Sequence, residues 1–367
     1  MSIAVLNGAA AVALLIPGLL AAQDTDSTAP RLENARLEKR ALAGQLTAEA
    51  KRWADQAAQP QWLGYAVPQV AGDRTVCCGN YNGSWREGCG TCRLESGPNE
   101  NNVTSSQSGT MKLEGPRYLV VLFRAENRHV MKIRAASEEC TLDVGGLPLV
   151  WLTGVQPSQS VELLESFVTG TNADFGQGER TSHAALTAIA MHADRAADRA
   201  LESFVQLSER ESLRRQTAFW LGQARGAAGL RVLEKMAKTD PSSDVRAQVT
   251  FALSVSREPG ALEEMIRMAH SDESSHVRGQ ALFWLAHKAG QKAVGAITGA
   301  IDDDPDTDVK KKAVFALSQL PKDEGVPKLI EVAESNRNRE VRKQAMFWLG
   351  QSNDPRALAF FEKVLAQ

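Results

Sequence analysis

The chain of 367 residues has little of what several large function classes require. It has no excess of positive charge: 42 Lys and Arg stand against 44 Asp and Glu, so the formal net charge of -2 gives nucleic acid no electrostatic footprint. Its six histidines are His129, His183, His192, His270, His276 and His287, and none is followed by Glu. Its five cysteines all lie at or before Cys140, so the long remainder of the chain offers no thiol nucleophile. After residue 22 it has no apolar run that approaches a membrane span. Aromatic residues make up only 6%, yet Phe and Trp in the second half fall at regular places.

What is present begins with an uncharged apolar run, "AAAVALLIPGLLAA" (Ala9 to Ala22), which stops abruptly at "QDTDSTAP". It reads as a secretory signal cleaved near Ala22, which places the body in the periplasm or outside the cell. No Lys or Arg precedes the run, and Ile3 to Ala22 is long enough to span a bilayer at small tilt. An uncleaved membrane anchor is therefore the alternative.

Residues 31 to 58 read as a helix, with Leu42, Leu46, Ala50, Trp53 and Ala57 on one stripe and Pro60 ending it. A segment rich in Cys and Gly follows, "CCGNYNGSWREGCGTC" (Cys77 to Cys92), then a polar loop. From Tyr118 the pattern turns to strands: "YLVVLFRA", a turn at Glu126 to Arg128, "HVMKIRA", "CTLDV", a Gly145-Gly146 turn and "LPLVWLTG". Residues 61–170 are thus expected to form a small Cys-containing α+β domain with an antiparallel meander. A helix from Ser158 or Ser160 through Phe167 closes it, and the linker "TGTNADFGQGE" follows.

In an oxidising compartment Cys77, Cys78, Cys89, Cys92 and Cys140 are disulfide candidates, and the odd count leaves one thiol unpaired or intermolecular. A tetrahedral zinc site is the alternative: Cys78, Cys89 and Cys92 completed by Cys77 or Cys140 have suitable ligand chemistry. "CGTC" has the spacing of a thioredoxin-type redox pair. The following "RLESGPNENN", however, cannot form the helix whose start would lower the first thiol's pKa.

The strongest signal is internal repetition. "LRRQTAFWLG", "VRAQVTFALS", "VRGQALFWLA", "VKKKAVFALS" and "VRKQAMFWLG" begin at Leu213, Val245, Val277, Val309 and Val341, an interval of 32 residues without insertion, and a degenerate copy begins at Thr181. Each unit has a second helical run, such as "ALEEMIRMAH" after Pro259-Gly260, so each is a pair of antiparallel helices. The intervening "TDPSSD", "SDESSH", "DDDPDTD" and "SNRNRE" supply helix caps. "DDDPDTD" (Asp302 to Asp308) lacks the Gly and the distant Glu of an EF-hand calcium loop, which leaves capping. The eighth position of the motif is held in turn by Ala188, Trp220, Ala252, Trp284, Ala316 and Trp348, an alternation with a superperiod of 64. On the helix these lie on the stripe of the leading Val, so the indoles are expected to fill seams between units.

Phe219, Phe251, Phe283, Phe315 and Phe347 point about 120° away from the leading Val. Two readings fit: packing between repeats, or an exposed Phe and Gln ribbon on the concave face that receives a partner. A basic ladder of Arg214, Arg246, Arg278, Lys310 and Arg342 pairs with the acidic loops, or meets an anionic partner. Phe360 stands where Val232, Glu264, Ala296 and Lys328 stand in earlier units. Exposure is expected there, to dock a second copy or meet the N-terminal domain.

These units resemble bacterial HEAT-like repeats of the type also seen in phycobilisome lyases, whose motif VRxxAxxALG is matched almost position for position at 245–254. The resemblance covers residues 181–367 and implies an α-solenoid that acts as an interaction surface. "WLGYAVPQVAG" and "ECTLDVGGLPLVWLTGV" ahead of such units resemble a group of extracytoplasmic bacterial HEAT proteins. Deoxyhypusine hydroxylase-like HEAT proteins hold iron through His-Glu dipeptides, which this chain lacks.

The expected molecule is mainly α: a signal or anchor at 1–22, a helix within 23–60, the α+β domain, and a solenoid of five clear units plus a degenerate one over 181–367. Its expected role is an exported, non-catalytic scaffold for a protein partner, with no nucleic acid bound, no cofactor, and a membrane contact only through the N-terminal anchor. The partner-binding candidates are Phe219, Phe251, Phe283, Phe315, Phe347, Phe360, Arg246, Arg278 and Arg342. A redox or zinc-dependent enzyme using Cys77, Cys78, Cys89 and Cys92, or a bilin-lyase-like activity, is the competing class.

Overall fold

The computed structural model describes residues 30–72, 76, 91–95, 103–104, 115–170 and 178–366. The apolar run at Ile3 to Ala22, Cys77, Cys78 and Cys89 lie outside them. Among the described residues no helix is long and apolar enough to cross a membrane.

The N-terminal part contains β1 (Leu32–Glu33), β2 (Arg36–Ala41), α1 (Leu46–Asp55), β3 (Gln61–Pro68), β4 (Thr91–Arg93), β5 (Val103–Thr104), β6 (Tyr118–Glu126), β7 (His129–Ser137), β8 (Thr141–Asp143), β9 (Pro148–Thr153) and α2 (Pro157–Thr169). The larger sheet has the order β2-β9-β3-β6-β7 and the smaller one β1-β8-β4-β5. Strands β6 and β7 pair antiparallel, as the expected meander requires, while β3, which the sequence did not mark as a strand, pairs antiparallel with β6; the rest of the meander is corrected. Strands β8 and β9 leave that run: β9 lies parallel to both β2 and β3, and β8 lies parallel to β1 and β4.

The expected helix over 31–58 is corrected. Its second half is α1, which buries Leu46, Ala50 and Trp53 as the spacing predicts, but residues 32–33 and 36–41 are strands. "RLEKRA" is made of strong helix formers, and its register along Pro148 to Thr153 overrides that local preference with a full ladder of backbone hydrogen bonds.

The larger sheet is covered on both faces, which explains the continuous apolar run in β6. Val120, Leu122, Trp62, Leu149 and Trp151 face the smaller sheet in one core. Leu119, Val121, Phe123, Leu63, Tyr65, Val150 and Leu152 face α1 and α2 in another. Gly64 is required here, because a Cβ would stand 2.8 Å from Leu122 Cδ2 and 3.1 Å from the Trp151 ring.

The second core continues without a break into six helix pairs: α3 (Glu179–Met191) with α4 (Arg195–Phe204), α5 (Glu211–Ala224) with α6 (Gly226–Thr239), α7 (Ser243–Val255) with α8 (Gly260–Ser271), α9 (Ser275–Ala289) with α10 (Val294–Asp303), α11 (Thr307–Ser318) with α12 (Lys322–Ser335), and α13 (Arg339–Gln351) with α14 (Pro355–Leu365). The first helices pack closely on one another along the stack, while the second helices touch far less. A stack tighter on one side curves toward that side, so the first helices line the concave face. Most loops cap as their sequences imply: the side chains of Asp194, Ser242, Asp306, Asn338 and Asp354 accept from backbone amides at the start of the next helix, whereas Ser274 before α9 makes no such bond.

Candidate functional site

The repeat motif places its Phe on the solvent side of the concave layer and its Trp or Ala against the neighbouring helix. Phe219, Phe251, Phe283 and Phe315 are half-buried, and Phe347 is 54% exposed. The rings form one file. Trp220 meets Phe219 at 5.0 Å between centroids, Phe219 stacks on Phe251 at 5.8 Å, and Phe251 meets Trp284 at 4.7 Å. Trp284 then meets Phe283 at 4.8 Å, Phe283 stacks on Phe315 at 6.1 Å, and Phe315 meets Trp348 at 4.9 Å. Phe347 ends the file 5.0 Å from Trp348. Gln216, Gln248, Gln280 and Gln344 lie half-buried one helical turn before the Phe positions, carrying amides that can both donate and accept. The indoles are not equivalent: Trp220 is 3% exposed, whereas Trp284 and Trp348 are only half-buried against the core.

The basic ladder lies elsewhere. Arg246 Nε and Nη2 donate to the two carboxylate oxygens of Asp272 at 2.9 and 3.0 Å, while Nη1 donates to the Asp240 carbonyl at 2.8 Å. Arg214 with Asp240, and Arg278 with Asp304, repeat this fork 32 residues to either side. Each arginine therefore ties the loop before its own unit to the loop after it. The carboxylate hydrogen bond, the largest influence, holds each guanidinium more firmly protonated than usual. Arg246 and Arg278 are buried in these pairs, as the expected pairing with the acidic loops requires, and their alternative place on a partner-facing surface is corrected. Arg342 donates to the carbonyls of Asn336 and Arg337, at 2.7 and 3.2 Å, and to no carboxylate among the described residues. Lys310 donates to the carbonyls of Ile301 and Asp302.

Phe360 is also corrected: it is 5% exposed, turned into the core, with Phe361 at 5.4 Å. The apolar side chains that α14 presents to solvent are Leu358, Val364 and Leu365.

A polar relay that the sequence did not signal joins the sheet to the first repeat. His192 Nδ1 lies 2.7 Å from the Ala188 carbonyl and must donate to it, so Nε2 is an acceptor. Ser160 Oγ, 2.8 Å away, therefore donates to Nε2, and the Tyr65 hydroxyl, 2.8 Å from Ser160 Oγ, donates to the serine. All three side chains are fully buried. Burial pulls the His192 pKa down to about 4 and pushes the Tyr65 hydroxyl up, so the relay is neutral. The three side chains thus tie β3, α2 and the end of α3 together.

Of the cysteine constellation, Cys92 and Cys140 are described: both are buried and disulfide-bonded. Among the described residues no three His, Cys, Asp or Glu side chains gather to hold a metal ion.

The stacked helix pairs and their ring-bearing concave layer define an α-solenoid. Residues 198–286, 262–345 and 294–367 match the family model of HEAT repeats, and this part of the chain is a HEAT-repeat array. No curated protein matches the chain. Solved structures show similarity, three of them as follows. The complex of CpcE and CpcF of phycocyanin lyase from Nostoc sp. PCC7120 is 22% identical over 42% of this chain and 99% of that one, with a TM-score of 0.32. Human deoxyhypusine hydroxylase in complex with glycerol is 18% identical over 56% and 90%, with a TM-score of 0.30. Kap121p bound to Pho4p is 16% identical over 53% and 25%, with a TM-score of 0.34. Likeness at this level says nothing of activity or partner.

Proposed function

We propose that the protein is an extracytoplasmic, non-catalytic scaffold that receives an extended segment of a partner protein along the concave face. The observation that supports this most is the unbroken file of rings from Trp220 to Phe347, with faces left to solvent and amide side chains beside it. Rings give affinity to apolar side chains, and neighbouring Gln amides match the alternating donors and acceptors of a peptide main chain. The apolar run before Gln23 and the disulfide-bonded state of Cys92 and Cys140 support export.

A peptide library displayed on phage tests this reading against the purified protein. It is expected to select extended sequences with recurring apolar residues, and Phe283→Ser with Phe315→Ser is expected to weaken them roughly tenfold or more at unchanged helicity. Equal binding to both forms, or no selection at all, would refute it. The competing reading, a redox or zinc site among the cysteines, calls for a fast-reacting thiol or bound metal in the native protein. Iodoacetamide kinetics and metal analysis decide between them.

A further inference from the structure

Three junctions of the solenoid carry tryptophan, where α5 meets α3, α9 meets α7, and α13 meets α11. At the first, Arg225 Nη1 donates to the carbonyls of Ala190 and His192 at 3.1 and 2.6 Å. At the second, Lys288 Nζ donates to the carbonyls of Ser254 and Ser256 at 2.9 and 2.5 Å. The acceptors correspond at the superperiod of 64: Ala190 to Ser254, and His192 to Ser256. They are the outward carbonyls at the end of a first helix, where the chain carries partial negative charge and helical partners run out. In both junctions the chain itself supplies the cation that covers them.

The third junction keeps the acceptors and changes the donor. The corresponding carbonyls belong to Ser318 and Leu320, and the residue in the place of Lys288 is Ser352, whose hydroxyl donates back to the Leu349 carbonyl at 2.7 Å. Among the described residues no donor reaches the Ser318 or Leu320 carbonyl. A recess of about 230 Å³ opens there, lined by Ser318, Leu320, Trp348, Gln351 and Ser352, with the exposed Lys322 also on its lining. Arg356, which donates to the Lys322 carbonyl, is already committed to Asp354 and Asp323. Trp348 is also a member of the aromatic file, so the recess and the ribbon are continuous.

We infer that this recess accepts a primary ammonium group, supplied by a lysine side chain of the protein segment docked on the ribbon. Two carbonyls receive its N–H groups, and the Trp348 side chain borders the space its charge would occupy. The assignment of the lysine to a docked partner rests on the scaffold reading, whereas the affinity of the recess for an ammonium group does not.

The test follows the indole N–H signals of the ¹⁵N-labelled protein, with Trp348 assigned by Trp348→Phe. Added n-butylammonium chloride is expected to shift the Trp348 signal saturably at millimolar concentration, butan-1-ol is not, and the Trp284 signal, beside the Lys288 that already covers its carbonyls, is expected to stay in place. Ser352→Lys should abolish the response and raise the melting temperature by a few degrees. A ribbon-binding peptide carrying lysine next to its anchor residues should bind several-fold more tightly than its norleucine counterpart, and equally in Ser352→Lys. The inference falls if Trp284 and Trp348 respond alike, or if the response survives Ser352→Lys. It falls also if Lys322→Met moves the Trp348 signal, which would make Lys322 the cation, or if lysine and norleucine peptides bind the native protein equally. Failure of Phe283→Ser with Phe315→Ser to weaken peptides would instead remove the scaffold reading and leave the ammonium response standing.

Discussion

Replacing Asp272 by Ala strands the Arg246 guanidinium in a nearly closed site. The two side chains are 4% and 6% exposed and share two hydrogen bonds of 2.9 and 3.0 Å. Breaking a buried pair by removing one partner costs about 3–5 kcal/mol, because the remaining charge keeps its desolvation without its counter-ion. Two features move the figure in opposite directions. Glu273 lies 3.0 Å from Arg246 Nη2, but at 83% exposure its carboxylate is well solvated and replaces little. Asp272 Oδ1 also accepts from the Ser274 amide at 2.9 Å, so a helix-start contact worth about 1 kcal/mol is lost as well. The expected loss is about 4 kcal/mol, concentrated at the α7–α10 units because a solenoid couples only neighbours. Urea unfolding followed by hydrogen exchange of those helices is the assay. The double replacement Arg246→Met with Asp272→Ala should recover at least half of the loss. A loss below about 1 kcal/mol for Asp272→Ala, or a double variant as unstable as the single one, would refute the stapling role. The chain contains its own control: where Lys310 replaces Arg, the carboxylate position is Asn336, and Lys310→Met should cost no more than about 1 kcal/mol.

Two further outcomes follow from burial. Trp220→Ala should destabilise by about 3–5 kcal/mol and Trp284→Ala by clearly less, since only the first indole is nearly enclosed; chemical denaturation giving equal losses would contradict the packing. His192, with its pKa pulled down to about 4, refuses a proton that the unfolded chain accepts from about pH 6.5 downward. Stability is therefore complete above pH 6.5 and falls by about 3 kcal/mol as pH drops toward 4. His192→Gln should flatten that slope in pH-dependent urea titrations, and an unchanged slope would exclude the relay as its source.

Much of the solenoid was legible because its information is local and repeated. The 32-residue interval, the cap residues and the separation of Phe from Trp around each helix all survive into the structure. The N-terminal module was legible only where both partners of a ladder are sequence neighbours, as in β6 and β7. Arg36 to Ala41 becomes a strand through a partner more than a hundred residues away, which no window around it contains. The arginine ladder shows the same limit in milder form: acidic loops were visible, but the fixed offset from Arg246 to Asp272 acquires meaning only once the helix pair folds back. Phe360 was misjudged because a terminal position suggests exposure, whereas its side chain turns inward. His192 gives no signal at all, since its partners Tyr65 and Ser160 come from other elements.

The alternation of indole and methyl groups makes neighbouring seams unlike. At Ala252 the helices close so tightly that a Cβ on Gly222 would stand 2.1 Å from the Ala252 oxygen, while at Trp284 the ring meets Phe251 at 4.7 Å and Lys288 reaches the Ser254 carbonyl. Inserting or deleting one 32-residue block would set like against like, leaving either colliding indoles or an unfilled gap. Copy number in this array is thus constrained by parity: it can lengthen or shorten in evolution, or under an engineer's hand, in steps of two.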